Sequence, residues 1–150
     1  MVATVTCALA HNSKDEHEYT LYVDGEKVGY FSFYVLPLGE LPLADSSYGE
    51  VDRITGLQVT ANTPVARFAN PRVDKDKRLR GYGSGAAYLA TGMALKAGVQ
   101  LMLAEVANAD KFWATLGYKQ VPDWSIWVST VADVQKSALA EVNKHNLTVS

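Results

Sequence analysis

The sequence predicts one mixed α/β domain spanning residues 1–150, organised around a strand–helix–strand unit at residues 54–106. Three observations carry this reading. Short runs of β-branched and aromatic residues punctuate the first half of the chain. A glycine-rich turn, Arg80-Gly81-Tyr82-Gly83-Ser84-Gly85, runs straight into a helical stretch. A last segment beginning at Thr130 places Val131, Val134, Ala138, Leu139 and Val142 in one apolar stripe.

The elements follow in order. Residues 19–23 (Tyr-Thr-Leu-Tyr-Val) and 28–36 read as the two strands of a hairpin, because Asp24-Gly25 between them supplies a positive-φ turn. Residues 37–49 read as a loop, with two prolines, two glycines and Ser46-Ser47-Tyr48. Residues 54–60 read as a strand interrupted by Gly56. Pro64, Pro71 and the charged run 74–78 suggest a long excursion, with a short strand at 65–68. The helix after the glycine turn reaches Lys96 and is closed by Gly98. Residues 99–106 form a compact apolar strand, 109–116 a helix ended by Gly117, and 125–128 a further strand. Thr130 to Asp133 resembles a capping box and opens the last helix, which runs to about His145.

Composition narrows the functional classes. The 150 residues include 14 basic and 16 acidic side chains, for a net charge of -2, and a single cysteine. One thiol excludes an internal disulfide framework and a multi-cysteine zinc site. The near-neutral balance leads us to expect no nucleic-acid partner. No run of ~18 apolar residues predicts a membrane span, and the first residues resemble no secretory signal. The expected location is cytoplasmic, without membrane association. His11, His17 and His145 are far apart in sequence, so no metal is expected. Cys7, alternating with Val5 and Leu9, reads as a packed side chain.

The glycine turn is the chemical feature. N–H groups in a first helical turn lack intrahelical acceptors, and the helix dipole favours negative charge there. With Lys75, Lys77, Arg78 and Arg80 alongside, the turn suits a phosphate. It is not a P-loop, since no Gly-Lys-Ser/Thr closes it, and G-x-G-x-G departs from the dinucleotide fingerprint. A solvated turn with a basic flank is the competing reading.

Arg78-Leu79-Arg80-Gly81-Tyr82-Gly83-Ser84 resembles the R/Q-x-x-G-x-G/A acyl-CoA signature of GNAT superfamily N-acetyltransferases. Asp24-Gly25 through Val28-Gly29-Tyr30 resembles that superfamily's hairpin, often D-G-x-x-V-G. Ile54-Thr55-Gly56-Leu57-Gln58-Val59 resembles the strand leading into the signature. Asn108 to Tyr118 resembles the later N-x-x-A-x-x-F-Y-x-x-x-G-F block. Together these cover about residues 19–128.

The resemblance implies a mostly antiparallel sheet with a V-shaped splay that admits acetyl-CoA, and no metal. Leu57 and Val59 would pair with the pantetheine amides, the amides of Arg80, Gly81, Tyr82, Gly83, Ser84 and Gly85 would hold the pyrophosphate, and Asn108 and Trp113 would flank the cofactor. Two registers fit: Arg78 with Gly81 and Gly83, which we prefer, or Arg80 with Gly83 and Gly85. The path from Val59 to Arg78 is long for the family, so either an insert overhangs the cofactor or the relevant strand is 66–73.

Other departures bear on chemistry. Only eighteen residues precede the hairpin, too few for the family's first strand and its two acceptor-side helices. Trp113 stands where many members carry a proton-donating tyrosine, and Arg53 where some carry a glutamate base. Asn108 directly precedes Ala109, out of its usual spacing. For a base that leaves Asp52 and then Glu105; Tyr118, ahead of Tyr82 and Tyr88, is the candidate acid. The implied activity is acetyl transfer from acetyl-CoA to an amine of a small molecule or protein. The competing function is a GNAT-fold binding or regulatory module without turnover. The terminal-helix stripe either covers the sheet or forms a homodimer face.

Overall fold

β4 is the strand around which the sheet is organised, and it is the least obvious one in the sequence. The computed structural model describes residues 2–12, 17–41, 45–105, 110–122 and 124–150. Its strands are β1 (Ala3–Asn12), β2 (His17–Val23), β3 (Glu26–Pro37), β4 (Pro64–Val73), β5 (Leu101–Glu105), β6 (Lys119–Gln120), β7 (Ile126–Thr130) and β8 (Leu147–Val149). They form one sheet in the order β6-β7-β5-β4-β3-β2-β1-β8. Pairing is antiparallel except for β4 with β5 and β1 with β8. The helices are α1 (Asp45–Thr55), α2 (Tyr82–Lys96), α3 (Asp110–Thr115) and α4 (Val131–Lys144).

Local chemistry accounts for the joints. Asp24 and Gly25 both take positive φ, 51° and 83°, as a tight hairpin turn requires. Gly29 on β3 lies so close to the Arg72 carbonyl of β4 that no side chain could stand there. Thr130 caps α4 by accepting a 3.1 Å bond from the Asp133 N–H.

Two apolar clusters lie on opposite faces of the sheet. The larger joins Phe31, Phe33 and Phe68 to Ala86, Ala87, Ala90 and Ala94 of α2, to Trp113 and Leu116, and to Val131, Val134, Ala138 and Val142 of α4. Alanine on the inner face of α2 lets the helix sit close to sheet and to α4 at once. The stripe of α4 is therefore spent inside this chain's own core, covering α2 and the sheet, while Leu139 points outward. The smaller cluster gathers Leu38, Val51, Val59, Val65, Leu101, Leu103, Ile126 and Val128 beneath α1.

Three readings of the sequence need correction, and of the two alternatives left open after Val59 the structure takes the strand covering 66–73. Residues 45–55, expected as loop and strand, form α1: Ser47 and Val51 are buried and Ile54 half-buried at helical spacing, and Glu50 pairs with Arg53 one turn on. Residues 56–60 are irregular, so Leu57 and Val59 lie on no strand. The strand beside the cleft is β4, despite Pro64 and Pro71; the prolines sit at its first residue and at a bulge, where a missing N–H does least harm. A strand does precede the hairpin, namely β1, together with the parallel edge strand β8.

Phe31 has no exposed surface and touches the rings of Tyr19 and Phe68 at centroid distances of 5.4 and 5.5 Å. Phe31→Ala is expected to lower the unfolding free energy by about 3–5 kcal/mol, read from urea denaturation.

Candidate functional site

The site is assembled where β4 parts from β5. Their parallel pairing covers Val65–Arg67 against Leu101–Leu103 and then ends, although β4 continues to Val73 and β5 to Glu105. Past Arg67, no strand among the described residues pairs with β4 on that side. A bulge reinforces the departure: Tyr30 pairs with Arg72 and Ser32 with Ala69, so Asn70 and Pro71 together face Phe31 alone.

The glycine turn closes one end of this cleft. Gly81 caps α2 with φ 82° and no side-chain bond, so the N–H groups of Tyr82, Gly83 and Ser84 have no acceptor within the helix. Gly85 N–H already donates to the Gly81 carbonyl at 3.0 Å. The amides without an acceptor in the helix are thus those of Tyr82, Gly83 and Ser84. Arg78 Nε donates to the Val73 carbonyl at 3.0 Å, and Arg80 lies on the Asp76 carbonyl at 3.4 Å, which leaves both guanidinium groups exposed beside the turn. The turn also leans on the end of α4: a Cβ at Gly81 would stand 2.7 Å from the His145 ring. At Gly83 it would meet Phe112 of α3 at 3.1 Å.

An aromatic stack lies behind the cleft. Phe68 of β4 meets Trp113 edge-on at 5.7 Å, and Trp113 meets Tyr118 at 5.2 Å. Trp113 and Tyr118 are each 2% exposed, and among the described residues neither Trp113 Nε1 nor Tyr118 Oη has a hydrogen-bond partner. Burial pushes the Tyr118 phenol well above the usual tyrosine range.

On the opposite face, Arg67 Nη2 donates to Glu105 Oε2 at 2.7 Å, joining β4 and β5 where their pairing ends. The Arg67 guanidinium lies 5.1 Å from the centre of the Tyr34 ring on β3.

No family model and no curated protein matches the chain. Solved structures do. A crystal structure of a bacterial toxin superposes with TM-score 0.62 at 15% identity, over 88% of this chain and 74% of that one. A KacTA–DNA complex matches with TM-score 0.57 at 15% identity, over 84% and 74% of the two chains. AtaTR bound with acetyl-CoA matches with TM-score 0.55 at 15% identity, over 82% and 74%. The chain has the GNAT fold.

Within that GNAT fold the expected site residues fare unequally. Gly81, Tyr82, Gly83, Ser84 and Gly85, with Arg78 and Arg80, do form one turn at the start of α2. Leu57 and Val59 do not flank the cleft; with Gly98 and Gln100 nearby, Leu57 lies toward the other end of β5, and Val59 is buried under α1. Asp52 is bound into the chain's own structure, its Oδ1 accepting the Val59 N–H at 2.7 Å. Tyr118 is enclosed in the core, and Trp113 is a core side chain as well. Asn108 lies outside the described residues. Of the expected bases, Glu105 stands where β4 and β5 part, with Arg67 and Tyr34 beside it, which sequence reasoning missed. The i, i+2 alternation Val65, Arg67 and Leu101, Leu103, Glu105 was the available signal.

The expectation of no nucleic-acid partner is corrected by the neighbours, which include a complex with DNA and AtaT complexed with acetyl-methionyl-tRNAfMet. A net charge of -2 sums over the whole chain and hides the basic run at residues 75–80. Among the described residues, no helix is long and apolar enough to cross a membrane.

Gly81 is constrained twice, by its φ and by His145. Gly81→Ala is expected to destabilise the fold by more than the ~1 kcal/mol of left-handed strain alone. His145→Ala in the same chain should recover only the ring's share of the clash, since the His145 Cβ would still stand 2.9 Å away, measured by urea unfolding of the single and double variants.

Proposed function

We propose that the protein is an acetyl-CoA-dependent N-acetyltransferase acting on an amine. The observation that carries this is the unpaired edge of β4 running beside an uncapped helix N-terminus with an arginine on either side of Leu79. An extended chain carrying amides and ending in phosphates matches both halves of that surface. The strand edge pairs with amides as another strand would, and the Tyr82, Gly83 and Ser84 N–H groups favour a pyrophosphate. Arg78 and Arg80 add fixed positive charge. When bound, acetyl-CoA supplies an activated acetyl group; the chain's residues position it, exclude water on the aromatic side and receive a proton from the acceptor.

The AtaT complex with acetyl-methionyl-tRNAfMet puts an aminoacyl-tRNA first among the acceptors to test, by analogy of fold. By the same analogy a protein antitoxin is the expected partner, since AtaT occurs bound to the C-terminus of AtaR. The cytoplasm, where acetyl-CoA and tRNA are found together, is the compartment this reading requires.

A second reading, a binding module without turnover, is favoured by one observation: the side chains at the position of the family's acid are closed off. Trp113 is buried, and an indole N–H is too weak an acid to protonate a thiolate at neutral pH.

Isothermal titration with CoA and thiol release from acetyl-CoA, with methionyl-tRNA, a lysine peptide and spermidine as acceptors, separate the two. Binding with turnover supports the transferase, and binding without turnover supports the module. Absence of CoA binding removes the transferase and a CoA-keeping module, leaving only a module that binds a protein partner. Gly83→Leu, which would press on Phe112 and cover the amides, is expected to weaken CoA binding at least ~10-fold, about 1.4 kcal/mol.

A further inference from the structure

We infer that Glu105 is the catalytic base of the proposed acetyl transfer, and that Arg67 and Tyr34 are the residues that position it. The inference rests on the transferase reading and adds the chemistry of its acceptor side.

Position comes first. The last paired residues of the two strands are Arg67 and Leu103, so the point where β4 and β5 separate is the vertex of the cleft. Phe68 and Trp113 close that vertex on the α2 face. Alternation along the strands puts Arg67 and Glu105 on the other face, with Val65, Leu101 and Leu103. An acceptor nitrogen approaching from this side meets Glu105.

Burial and bonding come second. Arg67 and Glu105 side chains are only 24% and 33% exposed, in contrast to the surface pair of Arg53 and Glu50 at 64% and 41%. Arg67 fixes Oε2, while Oε1 accepts no bond among the described residues. Tyr34 holds the guanidinium from the β3 side, and Arg67 Nε is buried without a partner among the described residues. The pair is thus half-used: one carboxylate oxygen is anchored and the other is available.

The step balances. Glu105 Oε1 takes one proton from the acceptor's ammonium, leaving a neutral amine. The nitrogen lone pair forms a bond to the thioester carbonyl carbon, and the carbon–sulfur bond breaks with its electron pair going to sulfur. A second N–H proton passes to that thiolate through water, because Tyr118 and Trp113 are enclosed.

The test uses the full chain, acetyl-CoA, and methionyl-tRNA, a lysine peptide, spermidine or water as acceptor, with thiol release as readout. Glu105→Gln is expected to lower kcat at least ~100-fold, with CoA affinity within about twofold of wild type. Arg67→Gln should lower kcat roughly tenfold without changing CoA affinity, and be partly rescued by guanidinium at non-denaturing concentration. The exchange Arg67→Glu with Glu105→Arg keeps an ion pair, so it should restore the urea midpoint but not turnover. Turnover in the exchanged protein would overturn the inference by making the pair merely structural. So would near wild-type kcat in Glu105→Gln, or a wild-type chain that binds CoA yet releases no thiol with any acceptor. A wild-type chain that does not bind CoA fails at the earlier step and overturns the transferase reading with it.

Discussion

The end of pairing between β4 and β5 at Arg67 and Leu103 is the constraint on which the rest of the molecule depends. β4 is bound to β3 along its length, with a bulge at Asn70 and Pro71 and the closest approach at Gly29. β5 is bound to β7 through all five of its residues. Each strand therefore follows a different neighbour, and the twist that accumulates between two such halves is released by their separation. What results is a strand edge in a partly enclosed place. Backbone polar groups left unpaired there are costly when buried, about 1–3 kcal/mol each, and a ligand that brings amides relieves that cost. The cleft is consequently a consequence of sheet mechanics before it is a binding site.

How much of this could be read beforehand follows from how local each signal is. The hairpin was legible because Asp24-Gly25 encodes its own turn, and the α2 turn because glycine, arginine and helix-forming residues stand within one short stretch. The start of α4 was legible for the same reason, in Thr130 and Asp133. α1 was not, because Gly49 and its serines weaken helix propensity and its stability comes from Val51 and Ile54 packing on distant β5 and β7. β4 was hidden by Pro64 and Pro71, while Ile54, Leu57 and Val59 imitated a strand and drew the cofactor assignment with them. At the site, the contrast is sharper still. The glycine turn is contiguous, but the Arg67–Glu105 pair joins residues 38 apart and exists only once β4 and β5 are aligned.

The aromatic side of the cleft carries an energetic tension. Trp113 Nε1 and Tyr118 Oη are buried without partners among the described residues, which costs about 1–3 kcal/mol each. Their rings offset it through burial and edge-to-face contact with Phe68 and with each other. Such a stack favours a rigid, dry wall over a proton donor. Loss of a dedicated acid does not by itself abolish acyl transfer, since a thiolate is a good leaving group and alignment of nucleophile and carbonyl supplies much of the rate enhancement. The chemistry most in need of help is the removal of a proton from an ammonium, and that need falls on the opposite face.

That face is built from an unexpected part of the chain. α1 follows β3 instead of preceding the hairpin, and it rests on Leu101, Leu103, Ile126 and Val128, the apolar surface that continues toward Glu105. Asp52 ties the end of α1 to Val59, and Gly39 lies against Ala61, so the segment between β3 and β4 is fastened at both ends. In the proposed reading, an acceptor reaching Glu105 would pass α1 and the residues packed beneath it, while the phosphates of the acyl donor would sit at the start of α2 on the other side of the sheet. On that reading, specificity for the acceptor and affinity for the acyl donor would reside in separate segments joined through β4 and β5. Changes in α1 would then alter what is modified without touching the glycine turn, and Arg67, which reaches from β4 to Glu105, links the two strands where they part.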